Sequence, residues 1–452
     1  MKINPFLEER LPKVPPEVQL SFIVETPPAK LQQTLAALEA LGITPIDTAF
    51  NQFILIQAPA GLAEKIAKIE AVTLHYNMPK TIYSLLPPPP LLPSLTQIDP
   101  LLGEIRVPEV VIPAVKPFGL PPLPHLQQPD VKIIPTSVSK SIIVDVETNL
   151  TGRGVLCAVI DTGAPIPLHP QLWGRNISME TTIPEPPIDL QSHGSWCSTC
   201  ALGNPFETRF GRVEGVATGA DLLHIKALST AGFGSSFSVI KAMEIAYLRG
   251  AKVVSMSLGG ELQGSIFDDP EVKVVEGLSK TGMIFVIAAG NSGPDEYTIG
   301  SPGAAPSAIT VAAYSITDGA VSYWSSRGPQ GSWYKDRPEE LARAKSIYGE
   351  DALKPDCSAP GGGRASKEAK PDEVLYSGCH GWFDGFYDLI ADGYEGSKGT
   401  SMSTPAVAGL ICLLVEGGIV KTAADVKDVL RLKGHPKTVE DGYGLIRLSM
   451  FV

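Results

Sequence analysis

Residues 399–405 read Gly-Thr-Ser-Met-Ser-Thr-Pro, and residues 406–415 continue as an unbroken stretch of apolar and small side chains. This pattern predicts a tight turn that opens directly onto a buried helix. The turn places the hydroxyl of Ser401 at the helix N-terminus, where free backbone N–H groups and the helix dipole favour negative charge. Ser401 is therefore either an ordinary helix cap or a nucleophile. The rest of the chain decides between the two.

A series of apolar runs precedes this turn. Residues 155–160 are apolar throughout and end in Asp161. Strands that are buried on both faces of a parallel sheet have this pattern, and such sheets bind ligands at the carboxyl ends of their strands. Further runs of this kind lie at 222–228, 253–258 and 283–288, with a helix predicted at about 236–249. The alternation predicts an α/β fold with a doubly wound, mostly parallel sheet.

Polar residues stand at the ends of several of these elements. His193 opens a predicted helix, and Asn291 follows the strand predicted at 283–288. Each residue alone is ordinary for a cap, a surface position or a turn. Together with Asp161 and Ser401 they form a set that nucleophilic catalysis needs. His193 is the natural base for the hydroxyl, Asp161 can orient the imidazole, and Asn291 can donate to an oxyanion beside the Ser401 backbone N–H.

Four motifs carry a resemblance to a known family. They read AVIDTG at 158–163, HGS at 193–195, AAGNS at 288–292 and GTSMSTP at 399–405. In these motifs residues 140–452 resemble the subtilases, the subtilisin-like serine peptidases, whose catalytic residues follow the chain order Asp, His, Ser. The resemblance implies an Asp161–His193–Ser401 triad with Asn291 in the oxyanion hole. It also implies peptide-bond hydrolysis, with polypeptides as substrates.

The same resemblance implies where a substrate lies. Ser257, Leu258 and Gly259 are expected to pair with substrate as a strand. A second stretch, Ala288, Ala289 and Gly290, is expected to form one wall of the primary specificity pocket. Because neither stretch contains an acidic residue, we expect an endopeptidase with a broad preference for non-basic, apolar residues. The alternative is a non-catalytic binding protein that uses the same cleft and a proline-rich arm.

The N-terminal part differs in texture from the rest. Residues 1–86 predict a small α+β domain with the order strand, helix, strand, helix, strand, which suggests a ferredoxin-like sandwich. His75 is predicted to be a surface residue of its last strand. The family resemblance implies a propeptide that remains in the active-site cleft, and hence a zymogen that cuts itself near residues 83–86 or in the following linker.

A proline-rich linker is predicted at residues 87–139, because 14 of the 49 residues from 87 to 135 are proline. Within it, residues 107–113 fit either an edge strand or a ligand for an aromatic groove of a partner. The peptidase-like domain then spans residues 140–452.

Composition limits the choice of partners and compartment. The net charge is −11 and no basic run is present, which argues against nucleic acid or an anionic membrane surface as a partner. The first residues lack the apolar core of a secretory signal, and no stretch has 18 uninterrupted apolar residues. With six cysteines in 452 residues, we expect a reducing, cytoplasmic setting, with secretion by another route left open.

Serine-peptidase chemistry requires no cofactor, and two features bear on metal binding. Cys197 and Cys200 form a C-x-x-C without a second pair, which fits a packed helix face better than a zinc site. Asp384, Asp388 and Asp392 lie in a predicted loop without an EF-hand pattern. A solvated loop is the favoured interpretation there and structural calcium the alternative, so the metal content stays unknown.

Overall fold

The computed structural model describes residues 2–82, 97–99, 103–105, 131–165, 169–380 and 392–452. The predicted edge strand at 107–113 and two of the loop aspartates, Asp384 and Asp388, lie outside these ranges. Within the described part of the chain, no helix is both long and apolar enough to cross a membrane.

The N-terminal domain, residues 2–82, is a four-stranded antiparallel sheet packed against short helices. Its strands run in the order β2-β3-β1-β4, which with the chain order βαββαβ is the ferredoxin-like arrangement. The elements are α1 (Pro5–Arg10), β1 (Gln19–Glu25), α2 (Leu31–Ala40), β2 (Asp47–Ala49), β3 (Phe53–Pro59), α3 (Ala63–Ala67), β4 (Thr73–Tyr76) and β5 (Pro79–Ile82). Of these, β5 leaves the domain and pairs elsewhere.

Two details of this domain differ from the sequence-based expectation. Where the predicted order has one strand between the two helices, the structure has a hairpin, β2 and β3, which turns at Phe50 and Asn51 with positive φ angles of 54° and 51°. Such φ angles usually belong to glycine. Because Phe50 and Asn51 adopt them here, the sequence contains no glycine that would have indicated the turn. The surface prediction for His75 is wrong, because its side chain is buried between Glu25 and Asn4 and forms hydrogen bonds of 2.8 and 3.2 Å to them.

The rest of the described chain, residues 131–452 with short gaps, forms the C-terminal domain, preceded by the strand pair β6 (Gln97–Asp99) and β7 (Gly103–Ile105). Its strands are β8 (Val131–Pro135), β9 (Leu156–Asp161), β10 (Ile177–Thr181), β11 (Phe206–Thr208), β12 (Gly211–Val213), β13 (Asp221–Lys226), β14 (Phe233–Ser235), β15 (Val253–Met256), β16 (Leu258–Gly259), β17 (Ile284–Ala288), β18 (Ile309–Ser315), β19 (Ala320–Val321), β20 (Cys357–Pro360), β21 (Asp372–Gly378) and β22 (Tyr394–Ser397). Its helices are α4 (Thr136–Ile143), α5 (His193–Leu202), α6 (Ser236–Leu248), α7 (Pro270–Ser279), α8 (Pro338–Tyr348), α9 (Thr400–Glu416) and α10 (Ala423–Lys433).

The central sheet has the order β10-β13-β9-β15-β17-β18, and both β19 and β20 pair with β18. All of its pairings are parallel except that of β19. Helices α5, α9 and α10 contribute to the apolar core on one face, and α6 and α7 to the core on the other. The predicted doubly wound α/β fold is therefore confirmed. Because β9, β15 and β17 are parallel neighbours, their carboxyl ends meet at one edge of the sheet.

Residues 131–139, which composition assigns to the linker, form β8 and the start of α4. Strand β8 runs parallel to β21, with Val131 opposite Asp372. The linker prediction extended too far here because Pro135, the last proline of the dense region, ends a strand whose other residues have normal strand propensity.

The N-terminal domain lies on the α6 and α7 face of the C-terminal domain. Glu25 bonds with Lys273 on α7 at 2.7 Å. Lys241 on α6 donates to the Thr48 carbonyl at 2.6 Å. The apolar side chains of β1 and β3 also join the core that α6 and α7 form with the sheet. The contact thus combines apolar packing with ion pairs.

Candidate active site

The carboxylate of Asp161 and the imidazole of His193 form a buried pair. Asp161 ends β9, His193 begins α5, and Nδ1 of His193 lies 2.7 Å from Oδ1 of Asp161. Burial by itself favours the neutral acid, but the charge and hydrogen bond of His193 outweigh it and hold the pKa of Asp161 below its ordinary value. The carboxylate therefore accepts the Nδ1 proton, which leaves Nε2 as the basic nitrogen.

Asp189 organises the turn that presents His193, and sequence reasoning missed it. Its Oδ1 accepts from the backbone N–H groups of Gln191 and Ser192 at 3.0 Å each, and its Oδ2 accepts from Ser195 Oγ at 2.6 Å. Ser192 has a φ of 100°, so this hydrogen-bond network supports a strained residue just before α5. The sequence signal that could have indicated this role is an aspartate four residues before the histidine that begins α5.

Ser401 lies in the first turn of α9, as predicted. Its Oγ donates to the Ser257 carbonyl at 2.9 Å, and no described residue bonds to Nε2 of His193. Because Pro405 has no N–H, the Ser401 carbonyl lacks the helical hydrogen bond that the residue four positions later would normally donate. That carbonyl accepts instead from Ser257 Oγ at 3.0 Å and Cys197 Sγ at 3.6 Å.

Cys197 also bridges the serine to the histidine. His193 lies one helical turn before Cys197 on α5, and the Sγ atom of Cys197 is 3.8 Å from Nδ1 of His193. The same thiol donates to the Ser401 carbonyl. The base and the hydroxyl therefore lie on two adjoining helices. In this conformation Ser401 Oγ must turn from the Ser257 carbonyl toward Nε2 before a proton can move, an adjustment that unliganded active sites often need.

Asn291 follows β17 and is held by the start of α9. Its Oδ1 accepts from the backbone N–H and the hydroxyl of Thr400, both at 3.0 Å. Because Oδ1 is bound to a backbone N–H, Nδ2 is the donor end of the amide, and none of the described residues accepts a hydrogen bond from it. An amide N–H is the kind of donor that an oxyanion hole uses.

The predicted pocket wall lies directly behind Asn291. Ala288 and Ala289 are fully buried, and the N–H of Ala289 donates to Val311 at 3.0 Å. Gly290 has a φ of 113° and donates to Thr400 Oγ1 at 3.2 Å. A side chain at Gly290 would be strained, so glycine suits this place. The structure brings this wall and the Ser401 turn together.

Strand β5 of the N-terminal segment lies in the cleft beside these residues. It forms a three-stranded antiparallel sheet with β14 on one side and β16 on the other. Thr81 is opposite Phe233 on β14 and Gly259 on β16, while Ile82 is opposite Leu258. Of the predicted substrate-pairing stretch, Ser257, Leu258 and Gly259, the last two residues therefore pair with the chain's own N-terminal segment.

The cysteine pair of α5 points into the protein. Cys197 and Cys200 donate to the carbonyls of Ser401 and Met402, and burial raises the pKa of both thiols. A protonated thiol is a poor metal ligand. Asp161, His193 and Cys197 could together surround an ion, but the first two are already bonded to each other. These contacts favour the helix-packing interpretation of C-x-x-C.

The fold and the residues at this edge of the sheet define an α/β protein with a serine, histidine and aspartate site. The sequence model of the subtilase family matches residues 152–444. This match covers more than half of the chain, and the protein belongs to the subtilase family.

Individual relatives agree with this assignment. The chain is 32% identical over 315 residues to serine protease AprX of Bacillus subtilis, covering 65% of this chain and 64% of AprX. It is 33% identical over 279 residues to pyrolysin of Pyrococcus furiosus, covering 52% of this chain and 17% of pyrolysin. The chain thus spans less than two thirds of the length of either relative.

Two solved structures share the fold. Fervidolysin from Fervidobacterium pennivorans, a keratinolytic enzyme related to subtilisin, superposes with a TM-score of 0.64 at 17% identity, over 96% of this chain and 61% of that one. Sphericase gives a TM-score of 0.51 at 26% identity, over 69% of this chain and 97% of that one. The first likeness extends across nearly the whole chain.

Proposed function

We propose that this protein is a serine endopeptidase that hydrolyses polypeptides through Asp161, His193 and Ser401. The observation that carries the proposal is the buried Asp161–His193 hydrogen bond of 2.7 Å, which leaves Nε2 of His193 as a base on the helix packed against the Ser401 turn. Membership of the subtilase family supports the same chemistry.

The reaction follows from these positions. Nε2 of His193 takes the hydroxyl proton of Ser401 as Oγ attacks the peptide carbonyl, and Asp161 stabilises the imidazolium. The tetrahedral oxyanion accepts hydrogen bonds from Nδ2 of Asn291 and the backbone N–H of Ser401. His193 then protonates the leaving amine, and an acyl-enzyme remains. Water repeats the sequence, with His193 as base and then acid, and releases the carboxylic acid product.

The primary pocket is proposed to accept apolar residues. The wall formed by Ala288, Ala289 and Gly290 is uncharged and fully buried. A basic side chain would lose water against this wall, and these three residues offer it no counter-ion, which is costly. We therefore propose a broad preference for non-basic, apolar residues immediately before the bond that is cut.

The N-terminal domain is proposed to act as a propeptide. Strand β5 occupies the place of a substrate strand between β14 and β16, and its chain direction leads past Ile82 toward Ser257, whose carbonyl accepts from Ser401 Oγ. The first substrate would then be the chain itself, cut shortly after Ile82. This agrees with the range 83–86 expected from the sequence and makes the protein a zymogen.

A fluorophosphonate probe distinguishes the peptidase from a non-catalytic binding protein. The probe phosphonylates a serine only where a base activates the hydroxyl. After labelling the processed protein and digesting it, we expect one adduct, on Ser401, because His193 serves that hydroxyl alone. The same protein denatured before labelling is the control and should carry none. An absent adduct, or one on another serine, would contradict the proposal.

A further inference from the structure

Lys80 of β5 is buried inside the C-terminal domain. Its Nζ lies 2.5 Å from Oε2 of Glu271 on α7, and neither side chain is exposed. Nζ also donates to the Ser301 carbonyl at 3.3 Å. Lysine is seldom fully buried, and when it is, it is paired. The C-terminal domain therefore contains an internal site for a cationic side chain.

Apart from Lys80, the side chains bonded to Glu271 belong to the C-terminal domain. Glu271 Oε2 accepts from Ser236 Oγ at 3.0 Å, and Ser301 Oγ lies 3.3 Å from it and 2.9 Å from Oδ1 of Asp269. Gly260 forms the side next to the lysine stem, since a Cβ there would lie 3.1 Å from Cδ of Lys80 and 2.6 Å from the Pro79 carbonyl. A larger residue would narrow the site. Glu271, Ser236, Ser301 and Gly260 therefore stay with the C-terminal domain when β5 departs.

The backbone of Lys80 stands at a position that a substrate residue would occupy. Lys80 is opposite Gly234 on β14, and the next residue, Thr81, is opposite Gly259 on β16. Alternate residues of a strand point to opposite faces. A substrate that replaces β5 would therefore direct one side chain toward Glu271, several residues before the scissile bond.

We propose that Glu271 forms a subsite that selects lysine or arginine in polypeptide substrates. This proposal rests on the proposed endopeptidase function and concerns a different substrate position from the apolar pocket beside Asn291. Oε1 of Glu271 is buried and has no hydrogen-bond partner among the described residues. An arginine could use that oxygen as well as Oε2, since a guanidinium binds a carboxylate through two parallel bonds. Arginine should therefore be accepted at least as well as lysine.

The selectivity should depend on pH. Burial raises the pKa of Glu271 to about 6, with Lys80 opposing and Asp269 adding to the rise. The other groups facing the carboxylate, Ser236 and Ser301, do not titrate in this range. As pH falls through this value the carboxylate becomes neutral and loses its attraction for a cation. The preference for lysine over an uncharged side chain should be stronger at pH 8 than at pH 5.

Peptide substrates test the proposal directly. Each of the five positions before the scissile bond is filled in turn with Lys, Arg, norleucine or Glu, and kcat/KM is measured for the processed wild type. We expect one position at which Lys and Arg exceed norleucine by about 10- to 100-fold, the usual contribution of a hydrogen bond to a charged partner. In Glu271→Gln, which keeps the shape of the side chain, this ratio should fall close to one.

Two further proteins keep the result interpretable. Glu261→Gln removes an exposed acid near the cleft and should retain the wild-type ratio. If Glu271→Gln alone fails to fold around Lys80, the double variant Lys80→Met/Glu271→Gln replaces the buried pair with two neutral side chains. Cleavage without a basic preference at any position, or a preference that survives Glu271→Gln, would overturn the subsite and leave the peptidase standing. Failure to cleave any peptide, with no adduct on Ser401, would instead contradict the proposed function itself.

Discussion

Ser401→Ala is expected to abolish peptide hydrolysis. The substitution removes the only atom that can form the acyl-enzyme in the proposed reaction, while the helix start and the Asn291 donor remain. The expected loss is about 10⁶-fold in kcat, a size known for subtilisin itself. Hydrolysis of a fluorogenic peptide by the processed enzyme measures it. To obtain processed mutant, the N-terminal segment is removed by an added protease.

Ser403→Ala is the matched control. Ser403 lies in the same turn of α9, and its buried hydroxyl has no hydrogen-bond partner among the residues that the structure covers. Removing an unpaired buried hydroxyl costs little stability. We expect near wild-type turnover from this variant. Equal losses in the two variants would show that the turn, rather than the Ser401 hydroxyl, is what activity requires.

Asp161→Asn is expected to have the second largest effect. The amide keeps the size of the side chain and its bond to the Thr162 N–H, which is 2.7 Å long in the wild type. It removes the negative charge that stabilises the imidazolium of His193 in a buried site. The loss should be about 10⁴-fold in kcat, as in other serine peptidases, subtilisin among them.

The pKa of Asp161 gives this prediction a second readout. Since that pKa is below the ordinary value of an aspartate, the wild-type carboxylate is ionised throughout the neutral and alkaline range. The defect of Asp161→Asn should therefore persist across pH 6 to 9 in the pH–rate profile. Asp318→Asn, the same change at an exposed residue paired with Arg364, should leave the profile unchanged. A defect in Asp161→Asn that vanishes at high pH would contradict the role assigned to the charge.

Much of the C-terminal fold could be predicted because its strands are buried on both faces. The run that ends at Asp161 and the run that ends near Asn291 are continuous apolar segments. They form β9 and β17, which pair with β15 on its two sides. Local patterns were sufficient wherever an element packs uniformly against the core.

The misses arise from contacts between residues far apart in sequence. His75 is buried because Asn4 and Glu25 surround it, and neither neighbour is visible from the strand pattern around residue 75. The pairing of Lys80 with Glu271 joins two domains across 191 positions, so each residue alone looks like a surface charge. Polar residues that are buried by tertiary pairing leave no local periodicity.

The candidate site itself was predicted residue by residue, since each motif lies at the end of one element. Its supporting contacts were not. Asp189 acts through bonds to a turn with positive φ, and Cys197 acts through a carbonyl that Pro405 leaves free. Such roles depend on backbone geometry that the side-chain pattern does not encode.

Intact-mass measurement of the 452-residue chain and its Ser401→Ala variant tests the central claim most directly. The claim is that Ser401 is a nucleophile whose first substrate is the segment containing β5. The wild type should yield two pieces separated shortly after Ile82, and the variant should stay in one piece under the same expression conditions. Equal masses for the two proteins, whether both whole or both cut at the same bond, would contradict it.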